Sequence, residues 1–344
     1  MKEVEYLIVG QGIAGSVLAY QLEQRKKSFC IIDRGHKNSA SYVAAGVINP
    51  LVLKRMTLSW RAGEFMAYMH DFYLKLDDYI GIKSYHRTPL NKLIHSKEEI
   101  DFWKQRWKIA ELDDFADYEL KEFELSEFKE KFILGTVKET AWIDLKLLLS
   151  EMRTKLKSEG KLVQEDFDHM ALENHEYKGI AFDNIVFCEG SACTSNPFFD
   201  NLPFDLNRGD LLTIRAPKLE LAEIYKKKVF IIPLGNDLFR IGATYQKRHE
   251  KEYLPNEKRS ELLKNFEDIF NCEYEVVEQE SGVRPTVKDR RPLVGRHLLL
   301  NNFYLLNGLG SRGCLMSPLL SEELIDHIEN GKELSKDVQL DRFS

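Results

Sequence analysis

Val4-Glu5-Tyr6-Leu7-Ile8-Val9-Gly10-Gln11-Gly12-Ile13-Ala14-Gly15 is the stretch whose reading decides the fold. A short apolar run breaks at a glycine cluster, after which Val17, Leu18, Tyr20 and Leu22 recur at helical spacing. A second apolar run, Phe29 to Ile32, closes on Asp33. The pattern predicts strand, turn, helix and second strand. Glycines at these places let the backbone turn tightly, admit a pyrophosphate and pack the helix on the sheet. An acid roughly 20 residues on stands where it accepts hydrogen bonds from ribose hydroxyls. The unit therefore predicts a bound dinucleotide. Asp33 disfavours a 2′-phosphate, because two negative groups would meet, whereas Arg34 beside it pulls the other way. NAD and FAD both fit a unit placed here.

The chain has 344 residues, enough for two domains with sizeable cores. An apolar share of 43% and a charged share of 30% are ordinary for a globular protein. A net charge of -6 argues against a general nucleic-acid coat, which uses a basic surface to release counterions, but leaves room for a local basic patch. The first residues run straight into the first strand and no apolar stretch reaches membrane-span length, so a cytoplasmic protein is expected. Cys30, Cys188, Cys193, Cys272 and Cys314 lack the close pairing that holds zinc, and the nine histidines lack ligand spacing. No metal is expected.

Beyond Asp33, small residues crowd the loop Ser39-Ala40-Ser41-Tyr42-Val43-Ala44-Ala45-Gly46-Val47-Ile48-Asn49-Pro50, letting backbone approach something flat or bulky. Periodicity predicts helices over about 58–80, 98–108 and 144–159. Trp103 and Trp107, one helical turn apart, read as core. A strand over 184–188 ends in Glu189-Gly190-Ser191-Ala192 and returns the chain to a parallel sheet. Residues 211–215, 229–233 and 238–245 read as antiparallel strands, with Gly235-Asn236-Asp237 as a hairpin turn, inside an inserted second domain. The chain then returns to strand (303–306), glycine turn (Gly308, Gly310, Gly313) and helix. Ser317-Pro318 reads as N-cap and first turn of that helix, over 318–329. Its free NH groups and dipole suit developing negative charge. Two glycine turns at opposite ends of the chain suggest the two ends of one large cofactor.

Together, the N-terminal glycine turn, Ala44-Ala45-Gly46-Val47-Ile48-Asn49-Pro50, Gly242-Ala243-Thr244, Gly282-Val283-Arg284-Pro285-Thr286 with Asp289 and Pro292, and Gly308-Leu309-Gly310-Ser311-Arg312-Gly313 resemble the D-amino acid oxidase superfamily. That family of FAD enzymes includes glycine oxidase, sarcosine oxidase and the oxidase half of the enzyme that finishes the methylaminomethyl group of tRNA wobble uridine. The resemblance spans the chain, least specifically over 85–140.

The resemblance implies an α/β fold: a Rossmann-like FAD domain of the glutathione reductase type from segments 1–84, 141–205 and 284–344, and an α+β substrate domain from 85–140 and 206–283. Gly10, Gly12, Ile13, Ala14 and Gly15 would hold the pyrophosphate; Asp33 and Arg34 the adenosine half. Ala45, Gly46 and Val47 would lie along the flavin. Phe167, in a strand, would touch adenine, and Gly190 would close on the dinucleotide. Gly308, Gly310, Arg312, Gly313, Cys314 and Leu315 would line the pyrimidine end, where NH groups and a helix N-terminus stabilise negative charge. Arg284 matches the position that clamps a substrate carboxylate, for which a permanently charged two-pronged donor is suited; a structural ion pair is its other reading.

The implied reaction is hydride removal from the carbon beside an amine nitrogen of a small amino acid or secondary amine, giving an imine that water hydrolyses. Tyr245 would either hydrogen-bond substrate or serve as ordinary packing. FAD is expected without a covalent tether, and the electron acceptor is oxygen or another partner. Two alternatives keep the flavin. One is a tRNA wobble-uridine oxidase, using Arg284, Lys288, Arg290, Arg291 and Arg296 around a pocket mouth. The other is a dehydrogenase subunit passing electrons to a partner.

Overall fold

A computed structural model describes residues 2–35, 39–110, 112–173, 175–247 and 252–343. Its centre is a parallel sheet in the order Leu162–Val163, Phe29–Ile32, Lys2–Val9, Ile180–Phe187 and Phe303–Asn307, with Leu293–Arg296 antiparallel at one edge. Successive strand residues face opposite sides. Tyr6 and Ile8 therefore meet the helices Ile13–Gln24, Ala62–Ile80, Leu145–Ser158 and Gly313–Asn330, while Leu7 and Val9 meet Phe187, Phe199 and Leu305. The register aligns Val9 with Ile32 and Phe187, and Phe187 with Leu305. Gly10, Asp33 and Cys188 thus leave the sheet along one edge, beside the end of Phe303–Asn307, where open α/β sheets bind ligands.

A second, mostly antiparallel sheet runs in the order Gln246–Lys247, Asn207–Arg215, Leu238–Gly242, Phe230–Gly235, Ile224–Lys226, Leu90–Ile94, Phe132–Val137 and Lys121–Phe123. The long strand Glu275–Arg284 pairs with the free side of Asn207–Arg215. One face packs Leu212, Ile214, Ile231, Phe239 and Ile241 on Leu262 and Phe266 of the helix Pro255–Glu267. The alternate residues of the same strands turn toward the first sheet. Tyr85–Arg87, Ala141–Ile143 and Val47–Ile48 form a small third sheet.

Several expected boundaries move. The hairpin at Asn236 and Asp237 stands, both with φ near +55° (51° and 60°), as a primed turn requires. The strand before Tyr245 ends at Gly242, and the helix expected from Leu58 begins at Ala62. Phe167 lies in a loop, since its strand ends at Val163; its ring stacks on Tyr177 at 4.3 Å. The largest shift is in the last helix, which starts at Gly313 with Arg312 as N-cap and carries Pro318 inside it. Proline has no N–H for the carbonyl four residues back, that of Cys314. The buried Tyr73 hydroxyl donates to that carbonyl at 2.7 Å, so the helix continues. Trp103 is core, as expected, and Trp107 is partly buried against the same cluster. Trp103 lies against Gly135, where a Cβ would come within 2.6 Å of the ring, and both indole N–H groups donate to backbone carbonyls at 3.0 and 2.9 Å. No described helix is long and apolar enough to cross a membrane.

Candidate active site

Between the strand ends of the first sheet and the inner face of the second lies a cavity of about 1210 Å³. Its first end is built by the glycine turn. Gly10 has φ +101°, and a Cβ there would sit 2.6 Å from the Cys188 carbonyl oxygen. A Cβ on Gly15 would sit 1.9 Å from the Gly10 oxygen. Gly10, Gly12, Ile13 and Ala14 line the cavity, and Gly15 packs behind them.

Asp33 lines the same end with a committed carboxylate. It accepts from the backbone N–H groups of Gln11 and Gly35, each at 2.8 Å, and from Arg153 Nη1 at 2.7 Å. Arg153 also holds the Gln11 side chain and the Asp33 carbonyl. The negative charge expected to repel a 2′-phosphate is thus neutralised by a partly buried partner on the helix Leu145–Ser158. Arg34 pairs with Asp166 at 3.3 Å in the open. Phe167 and Gly190 line this end too, beside an unforeseen pair in which His169 Nε2 lies 2.9 Å from the buried Glu189 carboxylate. Glu189 also accepts from Asn196 at 2.7 Å.

Midway, Ala45, Gly46 and Val47 line the cavity. Gly46 has φ +69°, and a Cβ there would fall 2.0 Å from the Ile143 oxygen. At the far end Gly310, Arg312, Gly313, Cys314 and Leu315 are in the wall; Gly308 is not, being pressed against Val287 and Leu293. Arg312 donates to the backbone oxygens of Asn49 at 2.8 Å and Leu51 at 2.9 Å. Burial without a carboxylate pushes its pKa down to about 10. The Cys314 thiol is driven up to about 12 by burial, so it stays protonated.

The second sheet supplies Gly209, Leu211, Lys226, Phe230, Gly242 and Arg284 to the wall. Arg284 ends its strand opposite Asn207 and donates from Nη1 to the Asn207 side-chain oxygen at 2.9 Å, with the Thr244 carbonyl at 3.4 Å. It forms no ion pair among the described residues; burial lowers its pKa, while Tyr245 and Asp210 pull it the other way. Buried Asp210 fixes the neighbouring turn, accepting from Thr244 Oγ1 at 3.0 Å and the Tyr253 hydroxyl at 2.6 Å. Tyr245 lines the cavity at its rim, 56% exposed, with its ring 5.9 Å from the Arg284 guanidinium carbon. Of the five cations expected at a pocket mouth between 284 and 296, only Arg284 lines the cavity. Arg291 instead covers the Trp60 ring at 5.2 Å, and Lys288, Arg290 and Arg296 are exposed elsewhere.

The model of the FAD dependent oxidoreductase family DAO matches residues 5–327. This chain belongs to that family. Among its relatives, the oxidoreductase YurR of Bacillus subtilis is 23% identical over 373 residues, covering 98% of this chain and 96% of YurR. The tRNA 5-methylaminomethyl-2-thiouridine biosynthesis bifunctional protein MnmC of Campylobacter jejuni is 21% identical over 320 residues, 86% of this chain but 46% of MnmC. The fold matches the crystal structure of glycine oxidase from Bacillus cereus with a TM-score of 0.78, at 18% identity and covering 96% of each chain. The protein is therefore an FAD-dependent oxidoreductase, and the cavity fits that cofactor. Glycines stand where a Cβ would close the wall, and a buried guanidinium without a counter-charge stands at the end expected to face the pyrimidine.

Proposed function

We propose that this protein oxidises the carbon–nitrogen bond of a small amino acid or secondary amine. Arg284 carries the reading: a guanidinium inside the cavity with no carboxylate of its own is built to receive one from a ligand. Glycine oxidase, whose fold this chain shares, acts by name on such a substrate.

In this account Gly10, Gly12, Ile13 and Ala14 hold the pyrophosphate of FAD, while Asp33 and Arg34 hold its adenosine half with Phe167 and Gly190. Ala45, Gly46 and Val47 lie along the flavin, and Gly310, Arg312, Gly313, Cys314 and Leu315 surround its pyrimidine. FAD, bound without a covalent tether, supplies the acceptor for two electrons. Arg284 grips the substrate carboxylate and so fixes the carbon beside the amine; orientation is the main demand of such chemistry. Tyr245 donates a hydrogen bond to substrate from the rim. Leu211 and Phe230 exclude water from the reacting carbon. Loss of a hydride from carbon and a proton from nitrogen leaves an imine, which water converts to an oxo compound and the free amine.

The test is product stoichiometry. With glycine or N-methylglycine as substrate, one equivalent each of amine and oxo acid should appear per two electrons passed to oxygen or to an added dye. Electrons consumed without release of an amine would overturn the reading. Reoxidation in air faster than turnover would identify an oxidase, and reoxidation only by dye or quinone a dehydrogenase.

A further inference from the structure

The geometry points to a second anion-binding position in the substrate half of the cavity, centred on Lys226 with Lys54, so that the favoured substrate carries a further carboxylate several bonds from its amine. The inference rests on the reading of Arg284 as the first carboxylate site. Its basis is how charge is divided within one cavity.

Among the described residues four acids line the cavity, and each has a basic partner: Asp33 with Arg153, Glu165 with Lys178, Asp166 with Arg34 and Glu189 with the His169 imidazole. All four lie at the end where Asp33 leaves the first sheet. The opposite half is lined by Lys54, Lys226, Arg284 and Arg312, and among the described residues none of these pairs with a carboxylate. Arg312 and Arg284 have roles in the account above. Lys226 and Lys54 do not.

Lys226 is no solvated surface lysine. Its ammonium donates to the Lys228 backbone oxygen and lies 4.9 Å from the centre of the Phe230 ring. The parallel pairing sets Lys92 directly beside it, a second half-buried lysine on which the Glu99 carboxylate acts. Two adjacent cations held away from water repel each other, and an anion offsets that cost.

The sheet register gives the span. Lys226, Phe230, Gly242 and Leu211 form one row across four neighbouring strands, and all four line the cavity. Gly242 keeps the row open, since a Cβ there would fall 2.1 Å from Leu211 Cδ2. The Arg284 guanidinium lies over Gly209, one pair along the strand that carries Leu211. Three strand spacings thus separate the strand under Arg284 from that of Lys226, ~14 Å backbone to backbone, which a chain of several methylenes bridges once both side chains lean inward. Lys54, exposed after Leu53, also lines the cavity, and Leu53 packs in one cluster with Ile224 and Phe230.

The experiment is calorimetric titration of the FAD-loaded protein with straight-chain dicarboxylates from glutarate to sebacate, each against the monocarboxylate of equal length. One member of the series should bind ~10-fold or more tighter than its monocarboxylate, the value of one partly buried charge-assisted hydrogen bond. The preference should vanish in Lys226→Met and persist in Lys226→Arg. Equal affinity for the two series in the wild-type protein, or a preference that survives Lys226→Met, would overturn the proposal. So would tRNA binding that requires Lys226 while no dicarboxylate is preferred, which would assign the lysines to polymer phosphates. Dicarboxylates are not amines, so the titration reads this site even if no amine is oxidised, whereas product analysis reads the reaction alone.

Discussion

Arg284 and Gly209 share one space: a Cβ placed on Gly209 would lie 1.9 Å from Arg284 Nη2 and 2.3 Å from Cζ. The glycine in the middle of a buried strand is what lets the guanidinium lie flat over the sheet and face the cavity. Gly209→Ala should therefore displace Arg284 without removing it. We expect kcat/KM for carboxylate-bearing amines to fall ~10- to 100-fold, the worth of a charged hydrogen bond, with bound flavin retained. Unchanged kinetics would separate Arg284 from substrate binding.

Arg284→Lys keeps the charge and loses the fork. The lysine should recover only part of the loss seen in Arg284→Ala, because a point charge does not reproduce two parallel N–H donors. Steady-state kinetics with N-methylglycine reads this, chiefly in KM.

Tyr73 and Pro318 form a pair that a double-mutant cycle should expose. Tyr73→Phe strands the Cys314 carbonyl and should cost ~1–3 kcal/mol. Pro318→Ala supplies an N–H four residues on, so the same tyrosine change should cost less in that background. Denaturant unfolding of the four proteins measures the coupling, and strict additivity would refute it.

That pair also shows why part of the molecule was hidden in its sequence. Ser317-Pro318 reads as a helix start because proline usually stands there; only a hydroxyl from residue 73, far away in the chain, allows the helix to begin at Gly313. The glycine turns were legible because their constraint is local: Gly10 and Gly46 need positive φ and closeness to backbone, and no other residue meets both. Arg153 gave no local sign, being one basic residue in a helix with several, and its role comes from tertiary approach to Asp33. Lys226 lies in Tyr225-Lys226-Lys227-Lys228, a run that looks solvated, yet only strand pairing reveals which of the three lysines faces inward. Gly15 and Gly308, which fall outside the cavity wall, are both tightly packed positions where a Cβ would meet a neighbour.

The Lys226 site should depend on pH. Burial, then Lys92, pushes its pKa down to about 8. The flanking hairpin adds Lys227, paired with Glu130, and Lys228, paired with Asp268, while Lys54 lines the same cavity. Only the charged amine attracts an anion, and its population falls as pH rises through about 8. The preference for dicarboxylate over monocarboxylate should accordingly be greater at pH 7 than at pH 9, and Lys226→Arg should flatten that dependence. A preference rising with pH would have the wrong sign.

The central claim is that Arg284 presents a carboxylate-bearing amine to FAD in this cavity. The most direct measurement is the visible spectrum of the FAD-loaded protein during anaerobic addition of glycine, N-methylglycine, proline and D-alanine in turn. The account predicts that at least one of them abolishes the flavin absorbance, and that Arg284→Ala requires far more of that amine for the same change. Flavin absorbance that persists with all four, or that disappears equally readily without Arg284, would contradict it.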